Sequence, residues 1–455
     1  MITVLAFVLT LGVLIVIHEY GHYRVAIACG VKVLRFSVGF GRVLWSRQRS
    51  PDATEFVICA LPLGGYVRML DEREGPVAPH EVSRAFNRKP LRARAAIVAA
   101  GPLANLVLAV LLYAAAHWIG ITEPKAVLGA PAPASAMEAA GLRAGDWVRS
   151  ISRDGAEWDD VASLTDLRWH VTQSALRHEV LHLIVSDRDG RGRRELTVDL
   201  ARLDARDVDP TLMKRIGLGA AFSEPVMGEV KAGGPASEAG LRKDDRVLAI
   251  DGQPVVDAHS LRARIRDSAA GGRSTEQAWR IERAGQVLEL RVRPRAVKEG
   301  DATLGRIDAY VGLPPETVTV RHGPIDGLRL GVERTWEVSA LTVRMLGRML
   351  IGEASLKNLS GPLTIADYAG QSVQLGLTYY LGFLALVSVS LGVLNLLPLP
   401  MLDGGHLMYY LFEGLTGRPV SDLWLARLQR GGIALLLMMM SVALFNDVAR
   451  LLGLH

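Results

Sequence analysis

Cysteine is nearly absent from this sequence, since Cys29 and Cys59 are the only two among 455 residues. Both lie near the amino terminus, so a disulfide framework of the kind that stabilises small secreted domains is excluded for the rest of the chain. The basic residues form neither one contiguous patch nor a known nucleic-acid motif, although the formal net charge is +5. The excess of positive charge therefore does not indicate a nucleic-acid partner.

Charge is missing from the first residues, because no charged side chain occurs from Ile2 to Ile17. Hydrophobic residues make up 49% of the chain, which is high for a soluble protein. Membrane-spanning helices need about 20 apolar residues, and four stretches qualify: 2–22, 95–119, 377–402 and 432–452. The first lacks a basic start and a small-residue cleavage site, so we interpret it as a retained span in the lipid bilayer rather than a secretory signal.

The distribution of basic residues indicates how these spans are oriented. Between the first two spans the chain has thirteen basic and six acidic residues. The positive-inside rule places this connection in the cytoplasm. Both termini and residues 120–375 are then expected outside.

The charge-free run ends in the motif His18-Glu19-Tyr20-Gly21-His22. On a helix His18 and His22 share one face, about 6 Å apart along the axis, and can bind one zinc ion together. Glu19 can act as the general base that takes a proton from water. The alternatives are a chance match or a structural pair of histidines, but ionisable groups at membrane depth are costly and usually functional.

A catalytic zinc needs a third protein ligand, and Asp403 is the candidate. It follows Pro398 and Pro400, which interrupt the helix backbone, and it precedes two glycines. The predicted topology brings it to the same cytoplasmic-side depth as the two histidines, where zinc can neutralise a carboxylate. The alternative is an aspartate that caps a helix near the membrane surface.

Short strands are predicted between the first two spans. β-Branched and aromatic residues between glycines indicate strands at 31–41 and 55–58 and a turn at 63–67. An exposed edge of this sheet can pair with an extended peptide through main-chain hydrogen bonds. The alternative is an ordinary hairpin beside the membrane with no role in substrate binding.

The second apolar stretch contains the run Gly101-Pro102-Leu103-Ala104-Asn105. Its small residues allow another helix to approach closely. Asn105 is interpreted either as a helix-packing residue or as part of the site, and the sequence does not decide between these roles.

An internal repeat lies between the second and third spans. Residues 140–148 match residues 239–247 at an offset of 99, so two tandem domains of roughly 100 residues are predicted. They resemble PDZ domains, although Asp244 stands where glycine is usual; aspartate tolerates left-handed backbone geometry. The resemblance implies closing strands at 216–219 and 311–314, with peptide-carboxylate loops at Ile216, Gly217 and Leu218 and at Val311, Gly312 and Leu313. Ligand capture and a purely steric role both stay open.

The sequence thus predicts a polytopic α-helical membrane protein with four transmembrane helices, a membrane-associated β-hairpin region and two external α+β PDZ-like domains. An irregular mixture of apolar and charged residues from Val332 to Ile351 is typical of an amphipathic helix on the membrane surface. The predicted segments are transmembrane helix 1 (1–24), the cytoplasmic-side β-hairpin region (25–94), transmembrane helix 2 (95–120), the first PDZ-like domain (121–221), the second PDZ-like domain (222–318), the amphipathic segment (319–376), transmembrane helix 3 (377–405), a cytoplasmic loop (406–431) and transmembrane helix 4 (432–452).

The two membrane motifs and the tandem repeats together resemble the site-2 protease family, peptidase family M50, and its bacterial regulator-of-sigma-E branch. The motifs are His18-Glu19-x-x-His22 in the first span and Asn395-x-x-Pro398-x-Pro400 followed by Asp403-Gly404 in the third. The resemblance covers essentially the whole chain. It implies an intramembrane zinc metalloendopeptidase with His18, His22 and Asp403 as zinc ligands and Glu19 as general base.

The resemblance also implies substrate contacts, partners and location. Asn395, in one motif with Pro398 and Pro400, would hold the substrate backbone or the developing oxyanion, and the Gly39-Phe40-Gly41 hairpin would be the membrane-associated β-loop. Substrates would be single-span membrane proteins already shortened outside by another protease, namely an anti-sigma factor of the envelope stress response, and remnant signal peptides. The PDZ-like domains would act as a periplasmic size filter in the bacterial inner membrane, with the active site near the cytoplasmic side.

Two other classes of function fit parts of the sequence. Ionisable residues and broken helices at membrane depth also mark transport paths, but no inverted repeat of the apolar stretches supports a transporter. A catalytically silent scaffold that works through its PDZ-like domains would fit better if Glu19 were absent. The sequence therefore favours a protease.

Overall fold

The computed structural model describes residues 2–203, 212, 215–269, 272, 274–299, 302–351 and 361–451. The chain forms two compact units. We call residues 1–121 and 321–455 the helical unit and residues 122–320 the sheet unit. The predicted PDZ-like domain 121–221 and amphipathic segment 319–376 both include residues outside the described ranges.

Within the described residues, secondary structure covers most of the chain. The helices are α1 (Ile2–Ala28), α2 (Leu91–Ile119), α3 (Ala136–Ala139), α4 (Leu164–Leu176), α5 (Pro235–Glu238), α6 (Ala258–Asp267), α7 (Pro324–Leu350), α8 (Pro362–Leu375), α9 (Leu377–Leu396), α10 (Asp403–Thr416) and α11 (Asp422–Leu451). The strands are β1 (Val33–Arg47), β2 (Glu55–Met69), β3 (Ile121–Pro124), β4 (Trp147–Ser152), β5 (Asp159–Asp160), β6 (Val180–Ser186), β7 (Arg194–Asp199), β8 (Met227–Val230), β9 (Arg246–Ile250), β10 (Gln253–Pro254), β11 (Gln277–Arg283), β12 (Gln286–Val292), β13 (Arg295–Glu299), β14 (Ala302–Arg306), β15 (Ala309–Val311) and β16 (Thr317–Val320).

Four helices of the helical unit are long and apolar enough to cross a membrane: Ile2–Ala28, Leu91–Ile119, Leu377–Leu396 and Leu423–Val448. They correspond to the four apolar stretches of the sequence. α7 starts at Pro324, eight residues before the predicted amphipathic stretch, and packs against α2 and α9. These four helices indicate a membrane protein. Within the helical unit, α2 contacts α1, α7, α9 and α10.

The third apolar stretch differs from the prediction of one helix over 377–405 followed by a loop over 406–431. Helix α9 ends at Leu396, before Pro398 and Pro400, because proline cannot continue the hydrogen-bond ladder of a helix. A second helix, α10, then runs from Asp403 to Thr416, and Gly417 ends it with left-handed backbone at φ +70°. The connection predicted over 406–431 is thus largely helical, in α10 and the first turns of α11, and its place on the cytoplasmic side stays a prediction.

The sheet near the amino terminus is built from two long bent strands. Val38 pairs with both Gly65 and Ile58, so the order across the sheet is 65–69, 33–38, 55–59 and 43–47. Residues 35–38 run parallel to 55–58, whereas 43–47 run antiparallel to them, so β1 reverses its direction between Val38 and Val43. Gly39 and Gly41, at φ +88° and +85°, lie in this reversal. The predicted Gly39-Phe40-Gly41 hairpin is therefore a reversal within β1 whose two arms are separated by 55–59, and the predicted turn at 63–67 overlaps the reversal of β2 between 59 and 65.

The sheet unit contains two four-stranded sheets with the same arrangement. Their strand orders are β5-β4-β6-β7 and β10-β9-β11-β12, and each sheet has its own apolar core. Leu167 of α4 and Leu183 of β6 lie in the first core, and Leu261 of α6 and Trp279 of β11 lie in the second. The internal repeat thus has a structural counterpart, while the PDZ-like assignment and the domain boundaries stay predictions.

The aspartate of each repeat is buried and held in the same way. Asp146 accepts a hydrogen bond from the Arg143 backbone N–H at 2.7 Å, and Asp245 accepts one from the Arg242 N–H at 2.8 Å. The residue before Asp245 is Asp244, whose φ of +71° confirms the prediction of left-handed backbone geometry there.

The predicted closing strands differ from the structure. Residues 216–219 form no strand, because Gly217 is left-handed at φ +79° and packs against Ser135, where a side chain would collide. In the second repeat, β15 ends at Val311 and Gly312 is left-handed at φ +95°. The prediction for 216–219 is wrong, and the prediction for 311–314 holds only at Val311.

Candidate metal centre

Three side chains with metal-binding atoms converge in the helical unit. His18 and His22 come from α1, and Asp403 is the first residue of α10. Asp403 Oδ2 lies 3.2 Å from His18 Nε2 and 3.5 Å from His22 Nε2, and the two Nε2 atoms are 3.2 Å apart. Within the described part of the chain this is the one group of three such side chains close enough to share an ion.

The spacing of these atoms fits a zinc ion. Tetrahedral zinc with bonds of about 2.0–2.1 Å separates its ligand atoms by about 3.3 Å, close to the three distances between the donors of this cluster. Two imidazoles and one carboxylate are also a common donor set for catalytic zinc. The Asp403 carboxylate faces the Nε2 atoms of both imidazoles, as expected of a metal ligand rather than of the helix cap that was the alternative.

Helix α2 orients the His22 ring and leaves it room. The carbonyl oxygen of Ile97 lies 2.8 Å from His22 Nδ1. Because a carbonyl can only accept, Nδ1 carries the proton and Nε2 presents its lone pair to the cluster. A side chain at Gly101 would collide with the ring, and one at Gly21 would collide with the Ala100 backbone. The small residues predicted to allow close helix approach therefore lie against the site.

Asp403 is positioned by the break between α9 and α10. Gly404 and Gly405 lie so close to the backbone of 396–400 that a side chain at either would collide with it. Farther along α10, Glu413 forms a 2.5 Å ion pair with Arg94 of α2. The helix that begins with Asp403 is thus held to the helix that orients His22.

Glu19 lies between the cluster and the sheet. It follows His18 on α1, and an ideal Cβ at Gly65 would be 3.0 Å from Glu19 Cγ. Residues 65–69 form one edge of the sheet, and no described strand pairs with the outer side of that edge. An extended peptide added to this edge would therefore begin beside Glu19.

The remaining predicted site residues lie in other segments of the chain. Asn395 is in the last turn of α9, and Pro398 and Pro400 are in the segment between α9 and α10. Phe40 is in the reversal of β1, where its ring lies against Gly64. The predicted carboxylate loops at 216–218 and 311–313 belong to the sheet unit.

Sequence reasoning missed two contacts that support the cluster. Nothing in the sequence indicates that the Ile97 carbonyl accepts from His22. Arg94 and Glu413 are a base and an acid at the polar ends of two apolar helices, and that pattern was a usable signal for the ion pair.

Comparisons with known proteins show the family of this chain. The sequence profile of Peptidase family M50 matches residues 6–439. The chain is 40% identical to the regulator of sigma E protease of Salmonella typhi and 39% identical to the regulator of sigma-E protease RseP of Escherichia coli (strain K12), each over 98% of both chains. It is 43% identical to a candidate zinc metalloprotease of Ralstonia nicotianae over the full length of both. This protein belongs to peptidase family M50, the site-2 protease family, and is a zinc metalloendopeptidase.

Proposed function

We propose that this endopeptidase cleaves the transmembrane segments of single-span membrane proteins, with one zinc ion held by His18, His22 and Asp403. The observation that carries the proposal is the convergence of two Nε2 atoms and one carboxylate oxygen within 3.5 Å of one another. The two histidines lie on a helix long and apolar enough to cross a membrane, and Asp403 follows another such helix, α9. Such a group is costly at membrane depth unless a cation or a substrate uses it.

The chain's own residues have separate tasks in the reaction. Zinc, when bound, supplies a Lewis acid that polarises the scissile carbonyl and activates water. Glu19 accepts the proton of the attacking water and passes it to the departing amine. Asn395 is proposed to donate a hydrogen bond to the substrate backbone or to the developing oxyanion.

The sheet beside Glu19 is proposed to hold the substrate. A peptide bond inside a transmembrane helix is enclosed by its own hydrogen bonds, so the helix must unwind before water can attack. The free edge at 65–69 can take up the unwound segment as an added strand. Leu44, Trp45 and Leu61 expose 66%, 49% and 56% of their surface near the reversal of β1, which suits contact with lipid.

The sheet unit is proposed to select substrates. It would act as a periplasmic size filter that stops bulky ectodomains and admits proteins already trimmed by another protease. Two relatives are named as regulators of sigma E, so the proposed substrates are a trimmed anti-sigma factor of the envelope stress response and remnant signal peptides. The proposed location is the bacterial inner membrane, with the active site near the cytoplasmic side.

The test uses the full chain in lipid nanodiscs with a single-span reporter protein, offered with and without a folded ectodomain. Glu19→Gln should lower the cleavage rate by about 10²–10⁴-fold while zinc content stays the same. Tyr20→Phe, a change at an exposed neighbour on α1, is the matched control and should cleave normally. Cleavage by the Glu19→Gln variant at the wild-type rate would reject Glu19 as the base, and wild-type cleavage unaffected by a zinc chelator would reject the proposed chemistry.

A further inference from the structure

Asn105 of α2 presents its carboxamide to the back of the His18 ring. The side chain is buried, with 1% of the residue exposed. Its Nδ2 lies 3.4 Å from His18 Nδ1, and its Oδ1 has no hydrogen-bond partner within the described residues. A buried carbonyl oxygen without a donor is unfavourable by about 1–3 kcal/mol, so it calls for an explanation.

The other nitrogen of the same ring supplies that explanation. His18 Nε2 is one of the three metal-binding atoms of the cluster, 3.2 Å from both His22 Nε2 and Asp403 Oδ2. An imidazole nitrogen that binds a cation carries no proton, so the proton of a neutral His18 ring must be on Nδ1. Nδ1 is then a donor facing Asn105. A half turn of the carboxamide, which exchanges two nearly isosteric atoms, brings Oδ1 into position to accept.

The partner histidine shows the same arrangement. His22 Nδ1 faces the Ile97 carbonyl at 2.8 Å, and this carbonyl lies on α2, eight residues or about 12 Å along the helix before Asn105. With the carboxamide turned in this way, one helix would face the outer nitrogen of each ring with an oxygen acceptor, one from its backbone and one from a side chain.

We propose that Asn105 is a positioning residue for the metal centre: its carboxamide oxygen accepts the Nδ1 proton of His18 and so fixes the ring in the tautomer whose Nε2 binds zinc. The inference rests on the proposed zinc site. It assigns to Asn105 the role in the site that the sequence left undecided against helix packing.

The packing contact at this position does not need the side chain. Ser388 of α9 donates from Oγ to the backbone carbonyl oxygen of Asn105 at 2.7 Å. Any residue at 105 keeps that carbonyl, so the contact between α2 and α9 and the contact with His18 can be removed separately.

The experiment measures zinc affinity of the full chain in nanodiscs by competition with a fluorescent zinc chelator, together with the melting temperature of the metal-free protein. Asn105→Leu removes the acceptor and should weaken zinc binding by about 10–100-fold, the usual effect of removing an outer partner of a metal-binding histidine. Asn105→Asp supplies a carboxylate acceptor and should bind zinc at least as tightly as wild type. Ser388→Ala should lower the melting temperature and leave zinc affinity within about threefold of wild type.

The outcomes separate the proposals. Wild-type zinc affinity in Asn105→Leu, or equal losses in Asn105→Leu and Asn105→Asp, would overturn the role of Asn105 while leaving the zinc site in place. A wild-type chain that binds no zinc would instead overturn the proposed function. A melting temperature lowered by Asn105→Leu, with zinc affinity unchanged, would assign Asn105 to helix packing.

Discussion

The two units hold aspartate side chains in contrasting surroundings. In the sheet unit, Asp245 is fully buried and pairs with Arg283 at 2.6 Å, and Asp146 pairs with Arg194 in the same way. In the helical unit, Asp403 faces the Nε2 atoms of two histidines. The residue type is the same, but the partners differ.

This difference separates a structural carboxylate from a metal ligand. Arginine stays protonated and offers a fork of donors, so an aspartate beside it is neutralised and hydrogen-bonded at once. Imidazoles that are protonated on their outer nitrogens present Nε2 lone pairs to Asp403 instead, and one metal ion can then accept all three ligand atoms. A third case, Asp447 of α11, accepts backbone N–H groups of Gly361, Leu363 and Thr364 at the start of α8.

The largest expected effect comes from breaking the metal side of this comparison. Asp403→Ala removes one of three ligands, so we expect zinc to be lost on dialysis and cleavage of a single-span reporter to fall by at least about 10³-fold. Zinc per chain can be measured by atomic absorption. Asp447→Ala is the matched control, because it removes a buried carboxylate of the same unit that accepts from a helix start, and it should keep its zinc. Full zinc occupancy in Asp403→Ala would show that Asp403 is not a zinc ligand.

The second-largest effect is expected when an aspartate–arginine ion pair of the sheet unit is removed. Asp245→Ala leaves Arg283 without its carboxylate partner and the Arg242 N–H without its acceptor, so we expect the free energy of unfolding of the sheet unit to fall by about 3 kcal/mol. Hydrogen exchange of the β9 amides in the full chain should then accelerate by about 100-fold. Zinc content should not change.

Asp244→Gly is a suitable control for this experiment, because it alters the adjacent residue at φ +71° and leaves the ion pair intact. Its β9 amides should exchange at or below the wild-type rate, since glycine adopts this geometry without strain. Equal acceleration in both variants would show that the turn, not the ion pair, stabilises the repeat.

Much of this contrast was accessible from the sequence because it follows from short motifs. The spacing of His18 and His22 on one helix face and the four apolar stretches depend on residues close together in the chain. The repeat at an offset of 99 is a match between two short stretches, each of which can be read by itself. The meeting of Asp403 with the two histidines was argued from membrane depth and then found in the structure at 3.2 and 3.5 Å.

What the sequence missed depends on contacts between distant segments. The sequence predicted the reversal at Gly39 and Gly41 but not that another segment lies between its two arms, which only the pairing of Ile58 with both Val38 and Trp45 shows. The sequence did not predict helix α10, because the two prolines before it indicate where a helix ends but not that another begins. The acceptor for His22 is a backbone carbonyl, which no side-chain pattern reports.

A smaller effect tests whether helix positions control the metal side. The Arg94–Glu413 ion pair at 2.5 Å joins α2, which orients His22, to α10, which begins with Asp403. Glu413→Gln should weaken zinc binding by about threefold to tenfold, less than removal of a residue in contact with a ligand. Chelator competition measures this. Arg94→Met with Glu413→Gln should cost no more than either change alone, because both act through one contact; additive losses would show that the pair does not act as a unit.

The smallest effect extends the comparison to a carboxylate held by neither arginine nor imidazole. Asp154, on the turn after β4, accepts hydrogen bonds from the backbone N–H groups of Glu157 and Ala156 and from the Ser152 hydroxyl, and these donors lower its pKa to about 2. An unfolded aspartate has a pKa of about 3.9. Because the folded value is lower, the stabilisation is complete above about pH 4 and is lost as the pH falls towards about 2. The wild type should therefore melt at a higher temperature than Asp154→Ala at pH 6, and the difference should shrink between pH 4 and pH 2. The same difference with zinc and with chelator would place it in the sheet unit alone; a difference that disappears with chelator would instead tie this turn to the metal centre, and the contrast between the two units would fail.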